Sequence, residues 1–359
     1  MNKIEKSKRL LTFKYALDLQ RFAAGDNSSG NPMNVNTTAS EGMTKDQKEY
    51  YDSELLRNTT PNLVYAQFGK KVPMPQNNGK HVRWRRLKAY GAATTPLQEG
   101  ITPAGNKPEF ENLEAAVEQY GDYTVITDRV KMESMDPMVI ELTREHGNQG
   151  ALTIDTVTRD ELMTGTNVVF APKEDGTKVL SRDTLDKTCT LTPNLISMCK
   201  TILKKNKAKT IGTDYVAIIH PDLEHDVTTN EKFIDVVKYK DSEKIYNGEI
   251  GKLYGVRFVT TPQGKVWKDE TCPANGEDYL AVFGVLFIGA DAYGVVQMSG
   301  GNMEMIIKQV GSGGVDDALN QRGSVGWKVT GYATKILNEL NIVRAEVCST
   351  DFSEIEEAN

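Results

Sequence analysis

Apolar positions recur with a changing period along this chain, and each change of period marks a candidate element. In the first stretch, Leu10, Phe13, Leu17 and Phe22 fall on one face of a helical repeat, with Lys6, Lys14 and Arg21 around it. An isolated helix this short is marginal in water and needs a partner surface. Residues 25–45 are small and polar, the composition of a linker. A second short helix is expected from Lys45 to Arg57, with Tyr50, Leu55 and Leu56 as its buried residues. Residues 1–60 therefore read as an arm, and Leu10, Phe13, Leu17 and Phe22 are its candidate contacts with a neighbouring chain.

The pattern then turns strand-like. Lys80–Lys88 and Glu109–Glu118 read as two strands, and Tyr90–Pro108 between them is rich in Gly, Ala, Thr and Pro with no helical period. The two strands carry opposite charge. Lys70–Lys88 holds seven Lys or Arg and no acid, whereas Glu109–Glu118 holds four Glu and no base. Opposite charges facing across a strand pair favour it by about 0.2–1 kcal/mol each. The expectation is an extended two-stranded ribbon with an irregular tip and flanking strands, spanning 75–120. Such a ribbon has almost no core and is marginal alone, so another chain is expected to support it. Its candidate interface residues are Lys80, Arg83, Trp84, Arg85, Arg86 and Lys88 on the first strand and Glu109, Glu111, Glu114 and Glu118 on the second. A basic strand with Trp84 also suits nucleic-acid stacking, but the acidic partner strand would cancel much of its field.

Next comes a long helix, 137–163, about 40 Å in length. Asp136 suits its N-cap and Pro137 its first turn. Ile140, Gly147, Ala151, Ile154 and Thr158 fall near one face, flanked by Val157 and Leu162, and Gly165 fits a stop. From about 190 the pattern is mixed α/β. Thr192-Pro193 opens a helix that ends in the basic run Lys200–Lys209, which suits the negative end of the helix dipole. Tyr215–Ile219 reads as a buried strand followed by a short helix from His220-Pro-Asp222. Leu253–Thr260, Leu280–Ile288 and Asn302–Lys308 read as strands, Gly311–Gly314 as a flexible loop, and Trp327–Leu337 with Asn341–Cys348 as a final strand pair.

Composition narrows the class. The 359 residues are 39% hydrophobic and 26% charged, with a net charge of −6, close to an ordinary soluble protein. A mildly acidic total argues against a surface given over to gripping nucleic acid. The longest apolar run, Tyr279–Ala290, is too short to cross a bilayer. The basic start, Lys3 to Arg9, is followed by Leu10–Leu11 but then by Thr12, Lys14 and Asp18, so no signal-peptide core is expected. No membrane partner is expected. Cys189, Cys199, Cys272 and Cys348 form no Cys-x-x-Cys pair and read as reduced thiols.

Chemistry is hard to find. The chain has no Gly-x-x-x-x-Gly-Lys-Ser/Thr, no Gly-x-Ser-x-Gly and no His-Glu-x-x-His. The densest ligand-like cluster is His220, Asp222, Glu224, His225 and Asp226. A metal there is conceivable, but a strand ending in His-Pro before an acid-started helix explains it better. Neither an enzyme nor any cofactor or metal is expected.

The order of elements, arm, extended ribbon, long helix, mixed lobe and return strands, resembles the Hong Kong 97-type α+β fold of tailed-phage major capsid proteins. In detail the text is similar to the N-four-like family of these proteins. The stretches that carry the resemblance are Thr94-Thr-Pro-Leu-Gln-Glu-Gly-Ile-Thr-Pro103, Gln119-Tyr-Gly-Asp-Tyr123, Met135-Asp-Pro137, Ile219-His-Pro-Asp222, Gly326-Trp-Lys328, and Leu337-Asn-Glu339 before Val343-Arg344. It covers roughly 45–348. It implies an N-arm (1–60), an E-loop ribbon (75–120), a peripheral P-domain (121–190 and 320–359) with the spine helix 137–163, and an axial A-domain (191–319). By the same resemblance, copies form pentamers and hexamers of an icosahedral shell around double-stranded DNA, held non-specifically on the inner face. Scaffold, portal and decoration proteins are the implied further partners. The virion is the implied location, after assembly in the bacterial host cytoplasm. An encapsulin-type nanocompartment shares the fold and stays open as an alternative, as does a soluble nucleic-acid-binding protein using 80–88.

Overall fold

Two strands with no polar face, Tyr215–Ile219 and Val282–Ile288, fix where the core lies: every residue of both is buried. A strand buried on both faces must be central in its sheet and covered on each side. The computed structural model describes residues 64–359 apart from 76–78, 98, 101, 103–104, 134–137, 231–250, 277, 299–302 and 313–316. The arm helices expected within 1–60, with Leu10, Phe13, Leu17 and Phe22, lie outside the described residues. So do the Asp136–Pro137 helix start and the end of the Gly311–Gly314 loop.

In chain order the elements are β1 Lys70–Met74, β2 His81–Leu87, β3 Phe110–Ala116, β4 Glu118–Thr127, α1 Asp128–Glu133, α2 Met138–Leu162 and β5 Val168–Phe170. Then come α3 Pro193–Lys205, β6 Tyr215–Ile219, α4 Pro221–Thr229, β7 Lys252–Leu253, β8 Val256–Thr260, β9 Val266–Trp267, β10 Ala274–Asn275 and β11 Asp278–Tyr279. The last are β12 Val282–Ile288, β13 Tyr293–Met298, β14 Glu304–Lys308, β15 Arg322–Ile336 and β16 Ile342–Val347. They build a seven-stranded sheet in the order β5-β16-β12-β6-β8-β7, with β9 also on β12, and a five-stranded sheet in the order β1-β13-β15-β14, with β4 also on β15. β2–β3 and β10–β11 are separate two-stranded ribbons.

The helices form where the sequence signals them. Thr192 caps α3 by accepting from the Leu195 N–H, Pro193 occupies the first turn, and Lys204 and Lys205 close the last turn. Leu195, Ile196, Cys199 and Leu203 are buried against one face of the seven-stranded sheet, in a core that includes Ala217, Ile219, Phe283 and Phe287. The opposite face of that sheet, through Val216, Ile218, Leu286 and Ile288, shares a second core with Leu162, Tyr293, Trp327 and Tyr332. This second core joins the two sheets.

The final strands depart from expectation. They are not a simple pair: β15 lies in the five-stranded sheet and β16 in the seven-stranded one. Both run antiparallel to one other continuous stretch, β16 to β12 and β15 to β13. The ladder breaks where the chains cross from sheet to sheet, and there Gly289 N–H donates to Asn341 O while the Leu337 and Asn338 N–H groups both donate to Ala292 O. A short connection signals a hairpin only when both strands stay in one sheet. Likewise the strand expected over Leu253–Thr260 is two, β7 and β8, turning at Tyr254-Gly255 with both residues at positive φ.

The long helix is present as α2, but its N-terminal half is rotated from the expected face. Ile140 is 60% exposed and a Cβ on Gly147 would meet nothing within 4 Å. His146, Gly150, Asp155 and Arg159 are buried as well as the expected Thr158 and Leu162. His146, Asp155, Thr158 and Arg159 each find a hydrogen-bond partner, as burial favours, while Asp155 Oδ2 is left without one among the described residues. Thr158 Oγ1 lies 2.6 Å from Tyr332 Oη, and Arg159 donates to Gln263 O at 3.1 Å. Asp155 accepts from the Val64 and Tyr65 N–H groups at 3.2 and 2.8 Å, tying the first described residues to the helix. Burial raises the Asp155 carboxyl above its usual range, and these backbone bonds pull it back only in part.

Candidate assembly surface

The charged ribbon forms in the register its sequence suggests. β2 runs antiparallel to β3, and Arg83 faces Glu114 while Arg86 faces Glu111. Arg83 Nε donates to Glu114 at 2.8 Å and Arg86 Nη2 to Glu111 at 2.6 Å. Just beyond the strands, Lys88 Nζ donates to Glu109 at 3.1 Å, and at the start of β2 His81 Nδ1 lies 3.1 Å from Glu114. Arg85 faces Asn112 and places its guanidinium 4.6 Å from the Phe110 ring centre, a cation–π contact. All of these pairs are solvent-exposed, so each contributes little; their regular spacing is what fixes register.

Three candidate interface residues are placed differently. Trp84 turns onto its own chain, beside Val82, against buried Met74, Val296 and Ala333. A Cβ on Gly294 would come within 3.1 Å of its ring. Trp84 therefore anchors the ribbon base rather than a free stacking surface, because the inward face of a two-stranded ribbon needs apolar cover where it crosses a sheet. Glu118 is not a ribbon residue: it opens β4, faces Tyr332 of β15 and accepts from Tyr120 Oη. Lys80 is exposed at the base and contributes its carbonyl, which accepts from the Val117 N–H at 2.8 Å.

Beyond the base the ribbon is uncovered. Leu87, Tyr90 and Phe110 are about half exposed and Leu97 is 77% exposed. A second uncovered apolar surface lies on the five-stranded sheet. There Gly326 of β15 sits between Tyr123 of β4 and Ile306 of β14. A groove of about 560 Å³, lined in part by Gly121, Tyr123, Ile306 and Gly326, runs along these strands. Tyr123, 69% exposed, stands beside it with Val125 and Ile306. Gln149 on α2 locks this sheet from behind. It donates to Asp122 at 2.7 Å and accepts from Trp327 Nε1 at 3.0 Å, and His146 bridges it to Thr124. The Gln149 and Tyr123 N–H donors hold the Asp122 carboxyl below its usual range. Nothing in the sequence marks Gln149, because its role depends on two strands that meet it only in the fold.

The histidine-acid cluster is split. His220 accepts from the Asp222 N–H at the start of α4 and packs 5.3 Å from the Phe283 ring. It shares three-donor geometry with Asp222 and Glu356, whereas His225 falls with Asp226 and Asp351. His220 follows β6 and caps α4, whose first turn carries Asp222 and Glu224, and the five residues do not converge on one site. No helix among the described residues is long and apolar enough to cross a membrane.

Comparison with known proteins points the same way. A family model described as phage capsid protein matches residues 111–345. The major capsid protein of Escherichia phage T5 is 20% identical over 242 residues, 63% of this chain and 50% of that protein. The chain thus matches only half the length of that relative. Among solved structures, the capsid of Cyanophage Pam1 superposes with a TM-score of 0.66 at 10% identity, over 87% of this chain and 100% of that one. The capsid of Ralstonia phage GP4 gives 0.62 at 13% identity, over 88% and 99%. The capsid of Cyanophage P-SCSP1u gives 0.60 at 13%, over 84% and 93%. At these identities the likeness establishes the fold, which is the α+β Hong Kong 97-type capsid fold that the order of elements implies. With well over half its length matched by the family model, the chain belongs to the phage capsid protein family.

Proposed function

We propose that this chain is a major capsid protein, a structural subunit rather than an enzyme. Its copies assemble into pentamers and hexamers that close an icosahedral shell around double-stranded phage DNA. In this reading β2–β3 with its tip is the E-loop and α2 the spine helix. The five-stranded sheet with α2 serves the peripheral region, and the seven-stranded sheet with α3 and α4 the axial one. Assembly in the bacterial host cytoplasm, and contacts with scaffold, portal and decoration proteins, follow from the same reading.

The observation that carries it is the pairing of two uncovered apolar surfaces on one chain. A ribbon end bearing Tyr90, Leu97 and Phe110 is uncovered, and a groove beside Tyr123 and Ile306 has no chain over it among the described residues. Different surfaces that complete one another between copies make a head-to-tail contact, which closes into rings when the rotation between copies closes. Family membership supports a shell subunit over a free nucleic-acid-binding protein, and so does the neutralised charge of the ribbon. Deleting Tyr90–Pro108 tests the assignment. The variant is expected to stay soluble and folded by circular dichroism while failing to form shells by light scattering. Loss of folding would make this stretch core and remove the basis for the ribbon contact.

A further inference from the structure

A second concave surface lies on the other side of the ribbon base, and its chemistry differs. It is a cleft of about 530 Å³ between β2, the end of α3 and the turn after β12. Five cations line it, Lys70, Arg85, Arg86, Lys207 and Lys209, against the single carboxylate of Asp291. Lys70 approaches Asp291 at 3.7 Å and Arg86 is held by Glu111. Arg85, Lys207 and Lys209 have no ion pair among the described residues. The cleft is also lined by apolar groups, Trp84, Leu87, Leu113 and Leu337.

The walls are built rather than incidental. Ala290 N–H donates to Lys209 O at 2.8 Å, fastening the two loops together. Arg86 Nη1 donates to Asn338 Oδ1 at 3.0 Å and to Leu337 O, fastening the ribbon to the opposite side. At the end of α3 the Lys207 N–H donates to Lys204 O and the Ala208 N–H to Leu203 O. This closure places Lys207 at φ 59°, where glycine is the low-cost residue. Asp291, across the cleft, is likewise at φ 54°. Non-glycine residues held in this region cost stability and gather at ligand-holding sites.

We infer that this cleft binds an acidic peptide segment that also carries aliphatic side chains. Carboxylates pair with the rim through charge-assisted hydrogen bonds, and leucine-like side chains cover the apolar floor. Phosphates of duplex DNA would engage the rim alone and leave the concave apolar floor unused. The inference goes beyond shell building and stands without it, since it concerns a site on the single chain.

The test is fluorescence anisotropy on the full-length soluble chain, using a short labelled peptide of alternating glutamate and leucine. The expected result is saturable binding that weakens with salt and is lost with a glutamine–leucine peptide. The Lys207→Gly, Lys209→Gln variant is expected to bind about ten-fold more weakly. Its melting temperature should be unchanged or raised, because glycine suits the left-handed backbone at 207. That combination separates a binding role from a folding role. Equal binding by parent and variant, or no binding by the parent, overturns the inference. Binding of labelled duplex DNA that the variant loses, without peptide binding, also overturns it and assigns the cleft to phosphate.

Discussion

Gly326 is extended, not left-handed, so its requirement is space. A Cβ there would lie 2.6 Å from Tyr123 Cβ and 2.7 Å from Asp122 O, and backbone cannot step aside cheaply. Gly326→Ala is expected to cost about 1–3 kcal/mol in urea unfolding. Gly147→Ala, in the open on α2, is expected to gain up to about 1 kcal/mol. The same substitution with opposite signs checks the placement of the helix against the sheet. The cysteines give a second check at this scale. All four are free and buried. Burial pushes the Cys189 thiol up to about 11 and Cys199 up to about 12, and raises Cys272 and Cys348 as well. A raised thiol stays protonated and unreactive. At pH 8 a thiol reagent is expected to label none of the four in the native chain within minutes and all four after denaturation. Fast native labelling would place a cysteine at the surface.

At the scale of elements, the ribbon was the most legible part of the chain. Its opposite charges lie on strands that pair locally, so sequence order and spatial order agree. What the charge pattern alone could not rank is the strength of each pair. Among the described residues Arg83 meets only Glu114, and His81 competes for the same carboxylate, whereas Arg86 also donates to Leu337 O and Asn338 Oδ1. Arg83→Ala is therefore expected to change stability by less than about 0.5 kcal/mol, and Arg86→Ala to cost about 1–2 kcal/mol, by denaturant unfolding. Equal effects would mean that Arg86 does not fasten the ribbon to the body. The helix α2 was legible in extent but not in orientation. Periodicity scores His146, Asp155 and Arg159 as surface residues, and only the partners waiting in β4, residues 64–65 and Gln263 make their burial tolerable. The β15–β16 connection was misleading for a related reason: nothing local says that a five-residue link leaves one sheet for another.

For the whole molecule, the two sheets share one core through the second face of β12 and β6, and that core leaves the ribbon tip and the Tyr123 groove uncovered. The family was legible because the order of elements survives where individual residues do not. The surfaces that would join copies were less so, since Trp84 and Glu118 serve their own chain and Tyr123 with Gly326 becomes a surface only when β4 and β15 pair. The central claim is that these uncovered surfaces complete one another between copies. Negative-stain electron microscopy of the purified full-length chain, with light scattering on the same sample, tests it most directly. The account predicts rings, tubes or closed shells of uniform curvature. A monodisperse monomer or dimer that persists as concentration is raised would contradict it.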